Sequence, residues 1–354
     1  MWVDFHWHSR DEEEADKESV LRSLMVAEAA GLCAIAAMPN TKKPLITLER
    51  CVEYLSLADS YKGPVKFYVH IGLTSDLEQV KRAVEIVSEP VQRKIFGLRQ
   101  IIGLKAYWGR STNDLSIIEE EAQYCVLDTL AKEGFDGVLV GHFEDEEECA
   151  NELYDPKNPR SWNELCRPEV AEQSSFRKIF RMAEDVKFPG RLHVAHVSTL
   201  EVADAVWNYD GPVKLSCDVS LHHVVFNDYM LVNPDGAQFK CNPPLRSEDT
   251  RLGLFERLMK GRIPILISDH APHTAASKLS PEPPSGIASG TAWPYVIQFL
   301  RHNGVSEGII REVAFENAVK LYGLKLEPHG RRVDWKRLEE LQKEYSFDAF
   351  KGVK

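Results

Sequence analysis

Short apolar runs alternate with longer amphipathic ones along most of the chain. The short runs, at residues 2–6, 33–38, 65–71, 101–107, 137–140, 191–197, 213–217 and 263–267, read as strands. Several are apolar on both faces and bounded by Gly or Pro, as in a buried parallel sheet. Between them, apolar positions recur at helical spacing over 17–30, 47–60, 76–88, 115–134, 169–185, 199–209 and 248–261, with an eighth helix over 291–303. Eight strand-then-helix units predict a (β/α)8 TIM barrel whose active site lies at the C-terminal strand ends. Residues 1–324 are expected to form that single barrel, including a helical stretch over 306–324, and 325–354 a charged extension packed on or near it.

The strand ends carry the chemistry-bearing residues. The first run leads into His6-Trp7-His8-Ser9-Arg10. Residues i and i+2 of a strand share a face, so His6 and His8 aim at one spot, as two ligands of one metal must. Asn40 follows Pro39 after the second strand, and Lys105 lies in an otherwise apolar fourth strand. A lysine there is buried, snorkelling or chemically used. His142 ends the fifth strand, and Asp269 follows the eighth. In the sixth, His193 and His196 have opposite parity, so only one points into the barrel. His196, at the strand end, is the expected one, with His193 in the core. His222 and His223 read as surface loop residues, the acidic run 144–148 as solvated, and 151–162 as an inserted surface loop. The Pro-rich stretch 281–286 reads as a loop on the active-site face, a lid or substrate wall.

Composition narrows the class. The chain has 354 residues, 44% hydrophobic and 27% charged, and a net charge of −11. This is an ordinary globular balance, and without a Lys/Arg block it argues against nucleic-acid binding. The seven cysteines are scattered, with no C-x-x-C pair, which fits free thiols in a reducing compartment. With no signal-peptide pattern and no run long enough to span a bilayer, the expectation is a cytoplasmic protein that does not enter membranes.

Four imidazoles and one carboxylate at a barrel mouth suit a divalent ion such as Zn²⁺. With water they exceed one tetrahedral ion and match two, which need a bridge. If Lys105 captured CO₂ as a carbamate, it would supply that bridge; otherwise it is a snorkelling or anion-binding lysine. Such a centre lowers the pKa of bound water to about 7 and polarises a carbonyl. Asp269 would take the nucleophile's proton and pass it to a leaving nitrogen. Arg10 offers a planar fork for a substrate carboxylate, Asn40 a donor beside it, and His273 would complete the clamp. The chemistry is hydrolysis of an amide, or its reverse.

In sequence order, His6-Trp7-His8-Ser9-Arg10, Met38-Pro39-Asn40, Gly103-Leu104-Lys105, Gly141-His142, His196-Val197-Ser198-Thr199, Asn242-Pro243-Pro244-Leu245-Arg246 and Ser268-Asp269-His270-Ala271-Pro272-His273 resemble the dihydroorotase family of the cyclic amidohydrolase superfamily. The resemblance implies a binuclear zinc centre held by His6, His8, carboxylated Lys105, His142, His196 and Asp269. Arg10, Asn40, Asn242 and His273 would hold the substrate, with Ser285 and Gly286 adding backbone contacts. The implied reaction is reversible cyclisation of N-carbamoyl-L-aspartate to L-dihydroorotate in pyrimidine biosynthesis. A homodimer, or a complex with another enzyme of that pathway, is an open expectation. Relatives carry extra terminal residues that build a small β-sandwich; with His6 so early, little or no sandwich is expected. The Lys form of the bridge is combined here with an Asn-Pro-Pro-Leu-Arg stretch that resembles the group using Asp. Hydantoinase or allantoinase is the nearest rival, and a non-catalytic scaffold homologue is the rival from another class.

Overall fold

The computed structural model describes residues 2–88, 92, 99–110, 115–326 and 332–353. All eight expected strands form: β1 (Trp2–Trp7), β2 (Leu32–Ala37), β3 (Lys66–Gly72), β4 (Ile101–Tyr107), β5 (Val138–His142), β6 (Arg191–Val194), β7 (Lys214–Ser220) and β8 (Ile265–Ile267). They pair in parallel in the order β1 to β8. A parallel bridge between Trp7 and His270 brings the end of β1 to the segment after β8, so the barrel is nearly closed.

The helices are α1 (Val20–Ala29), α2 (Leu48–Ser56), α3 (Leu77–Val87), α4 (Glu120–Lys132), α5 (Glu169–Asp185), α6 (Leu200–Asn208), α7 (Glu248–Met259) and α8 (Trp293–His302). Side-chain caps fix several starts. Ser19 accepts from Arg22 N and Thr47 from Arg50 N, so α1 begins at Val20 rather than at 17. The 306–324 stretch is helical with a wide turn at Glu312–Glu316. The C-terminal extension contains α9 (Trp335–Gln342); its residues 327–331 and 354 lie outside the described residues.

One large apolar cluster packs the helices onto the outside of the sheet. A smaller one fills the interior, with Val3, Phe5, Ala34, Tyr68, Ile102, Val140 and Ile267, and Phe315 and Tyr322 among its further members. Alternation along β1 breaks before the first histidine. Val3 and Phe5 belong to the interior cluster and Trp7 to the outer one, yet His6 and His8 face the barrel mouth. The β1–β2 register shifts between Asp4 and Trp7, and Asp4 Oδ1 accepts from His6 N at 3.2 Å. This bulge swings both imidazoles inward, as bulges beside active sites commonly do.

Three expectations need correction. In the acidic run, Glu144 and Asp145 are buried, because both accept hydrogen bonds from within the fold. His222 and His223 are also buried, 0% and 2% exposed, on a short helix, Leu221–Val225, directly after β7. The 151–162 loop is surface chain except at its end, where buried Trp162 donates from Nε1 to Cys241 O at 3.0 Å.

Candidate metal centre and substrate pocket

Every expected site residue except His273 lines one pocket at the C-terminal mouth, together with Tyr107. His273 stands just behind it, its Nε2 3.0 Å from Ser285 O. His6 and His8 arrive from the β1 bulge. Asp269 Oδ1 lies 3.4 Å from His6 Nε2 and 3.2 Å from His8 Nε2. One ligand atom from each of these three residues falls within 4.8 Å of the others.

Other groups orient the imidazoles. His8 Nδ1 donates to Asn40 Oδ1 at 2.8 Å, which leaves the Nε2 lone pair facing the pocket. His142 Nε2 bonds Glu144 Oε2 at 2.8 Å, and Arg167 Nη1 holds the same carboxylate oxygen. The other His142 nitrogen then stands 3.2 Å from His196 Nε2. Asp218 accepts from the His196 backbone N–H and bonds His193 Nε2 at 2.8 Å. His193 therefore supports its neighbour from behind, on the far side from the pocket. Metal-binding histidines usually carry such partners on the nitrogen away from the ion. His196 and Asp269 both adopt left-handed backbone, φ 39° and 48°. Such conformations are costly for non-glycine residues and gather at functional sites.

The chemistry of the donors fits a divalent ion. Burial, then Lys105 and nearby cationic groups, hold His6 and its pocket neighbours His8 and His196 well below the ordinary histidine pKa. Neutral imidazole is the form that binds metal. His6 Nδ1, His196 Nδ1 and Lys105 Nζ are buried without a hydrogen-bond partner, a costly arrangement that bound ions relieve. Lys105 is fully buried, and burial lowers its ammonium to about 8. Burial likewise raises Asp269 to about 7.

Arg10 is buried at 2% exposure, with Nη1 donating to Asn40 O at 3.1 Å and Nε unpartnered. Opposite, Asn242 Oδ1 accepts from Ser285 Oγ at 2.9 Å and from Trp162 Nε1 at 3.1 Å. Gly286 N donates to Lys240 O at 2.8 Å, and Lys278 Nζ ties Lys240 O to Pro284 O. The loop expected at 281–286 is thereby fastened along the segment that carries Asn242. Gly286 sits at φ 143°, and a Cβ there would lie 2.5 Å from Ala271 O. Arg246, from the same motif as Asn242, does not reach the pocket; it donates to Ser198 Oγ and Arg167 O.

Sequence reasoning missed Tyr107, Glu144, Arg167 and Asp218. Tyr107 was discoverable, because it lies two residues past Lys105 on the same strand face, and Glu144 by its place just past the end of the fifth strand. Arg167 reaches the site from a distant segment with no local signal, whereas Asp218 directly follows the expected seventh strand and the strand-end rule covers it.

Comparison with known proteins places this geometry. No family model matches the chain. A dihydroorotase of Halobacterium salinarum is 27% identical over 94% of this chain and 74% of its own length. One from Thermococcus kodakarensis is 29% identical over 91% and 68%. Among solved structures, an L-hydantoinase from Arthrobacter aurescens superposes with TM-score 0.76 at 20% identity, covering 91% of this chain and 70% of that one. A dihydroorotase from Campylobacter jejuni superposes with TM-score 0.68 at 20% identity, covering 92% and 84%. The structural matches show that the fold is the barrel of these solved enzymes. By sequence the chain is similar to dihydroorotases along most of its length, and by fold to solved hydantoinase and dihydroorotase barrels.

Proposed function

We propose that the protein interconverts N-carbamoyl-L-aspartate and L-dihydroorotate, closing the ring with loss of water or opening it by hydrolysis. The observation that carries this reading is Arg10: a buried guanidinium, partly unpartnered, in the same pocket as the His/Asp cluster. Such a group calls for an anion, and a planar fork suits a carboxylate. The substrate of this reaction bears one on a ring carbon; simple hydantoins do not.

His6, His8, His142, His196 and Asp269 would hold two Zn²⁺, with Lys105 carboxylated on Nζ as the bridge. The ions would supply Lewis acidity, activating water and polarising the amide carbonyl. Lys105 is suited to capture CO₂ because burial favours its neutral amine, the form that attacks carbon. Asp269, against His6 and His8, takes a proton from the nucleophile and returns it to the ring nitrogen as the C–N bond breaks. In the cyclising direction it takes the proton from the ureido nitrogen. Arg10 and Asn40 grip the carboxylate, while Asn242, Ser285, Gly286 and His273 form the opposite wall. His6, His8 and His196, held neutral chiefly by burial, are poor acids here, which favours Asp269 as the proton carrier.

Turnover of L-dihydroorotate beside hydantoin and allantoin, with metal content on the same sample, tests the reading. About two zinc ions per chain and turnover of dihydroorotate alone are expected. Turnover of hydantoin or allantoin alone would overturn the substrate assignment and favour the type of enzyme seen among the structural neighbours. Among the described residues, no helix is long and apolar enough to cross a membrane.

A further inference from the structure

A second group of metal-ligating side chains lies outside the pocket. His222, His223 and Cys241 each offer a ligand atom, all within 4.8 Å of one another. The three are buried at 0%, 2% and 1% exposure. Both ring nitrogens of His222 are buried without a hydrogen-bond partner. An imidazole sealed from water with neither nitrogen satisfied costs several kcal/mol unless something binds it. The His222 and His223 rings stand side by side, centroids 4.7 Å apart.

The surroundings complete a coordination set. His223 Nε2 and Cys241 Sγ each lie 3.2 Å from Pro243 O. That carbonyl is positioned as a fourth ligand. Ser220 Oγ, 2.7 Å from His223 Nδ1, orients the ring from its other side, as an outer partner does in metal sites. Two imidazoles and one thiolate are nitrogen and sulfur donors of the kind zinc takes, and the carbonyl oxygen would make the fourth that a four-coordinate ion needs. Ligands at zinc distances stand about 3.5 Å apart, so the cluster needs only a modest contraction to close on an ion.

We propose that His222, His223 and Cys241, with the carbonyl of Pro243, hold a structural zinc-type ion separate from the catalytic centre. Binding releases the thiol proton, while the His223 ring proton moves from Nε2 to Nδ1, where Ser220 Oγ accepts it. The ion pins the chain after β7 to the Cys241–Pro244 segment. It thereby fixes Asn242, whose amide meets Ser285 and Trp162 in the substrate wall. An ion captured as this segment folds is sealed in and exchanges slowly.

Cobalt substitution of the full-length protein tests the site. Thiolate bound to Co²⁺ gives an intense near-ultraviolet charge-transfer band, which a centre of imidazoles and carboxylates cannot give; no cysteine lines the catalytic pocket. The wild-type protein is expected to show the band. Cys241→Ser is expected to lose it and to bind one metal equivalent fewer, with catalytic-centre metal retained. His222→Asn provides the same comparison if Cys241→Ser does not fold. Absence of the band in wild type, or its persistence in a folded Cys241→Ser or His222→Asn protein, overturns the proposal whatever the activity.

Discussion

The Tyr345 hydroxyl donates to Glu18 Oε2 at 2.7 Å, joining the C-terminal extension to the loop before α1 across 327 residues. The same oxygen faces His270 Nε2 at 3.2 Å. His270 Nδ1 accepts from Ser289 N and Gly290 N, so the ring proton sits on Nε2 and points at Glu18. His270 O in turn accepts from His8 N at 2.8 Å, beside Asp269. Tyr345→Phe removes a hydrogen bond to a buried carboxylate. It should cost about 1–3 kcal/mol of stability and lower kcat more than it raises KM, because the segment carrying His8 and Asp269 loosens. Urea midpoints with steady-state kinetics check this; two unchanged readings would mean that the extension is only a cover.

Lys105→Ala deletes the proposed bridge while leaving the five other ligands. Activity should fall on the order of 10³-fold, several kcal/mol of transition-state stabilisation, and metal content should drop. Short carboxylic acids added to the assay should restore part of both. Full activity without rescue would eliminate the carbamate.

Arg10→Lys keeps the charge and loses the fork. KM for L-dihydroorotate should rise about tenfold to a hundredfold, with metal content unchanged. Loss of metal instead would show that Arg10 supports the centre through its contact with Asn40 O.

Lys278 supplies a pH dependence away from the centre. It is buried, and burial lowers its ammonium from 10.5 to about 7. Between those values the unfolded chain holds a proton that the folded protein has released. Stability should therefore rise with pH across that window, with the full burial penalty present below about 7. Lys278→Met should flatten the rise and, by releasing Pro284 O and Lys240 O, loosen the wall loop. Denaturant midpoints measured through the window decide it; an unchanged slope would mean that Lys278 is hydrated in solution.

The sequence by itself determined the eight strand-and-helix units and most of the residues that meet at the strand ends. Both are local: apolar periodicity marks each element, and a barrel delivers every strand end to one mouth. Thus His6, Lys105, His142 and Asp269, scattered over more than 260 residues, were legible as one group before any distance was known. Tertiary structure decided what depends on contacts between remote segments. The bulge that turns His6 inward depends on the Asp4 carboxylate and the β1–β2 register. Glu144 read as part of a solvated run, because nothing near it in sequence announces Arg167. His222 and His223 read as surface residues, because their burial comes from the Cys241–Pro244 segment folding back over them. Desolvation is a property of packing, so which polar residues are sealed from water, and what they then require as partners, could be read only from the folded chain.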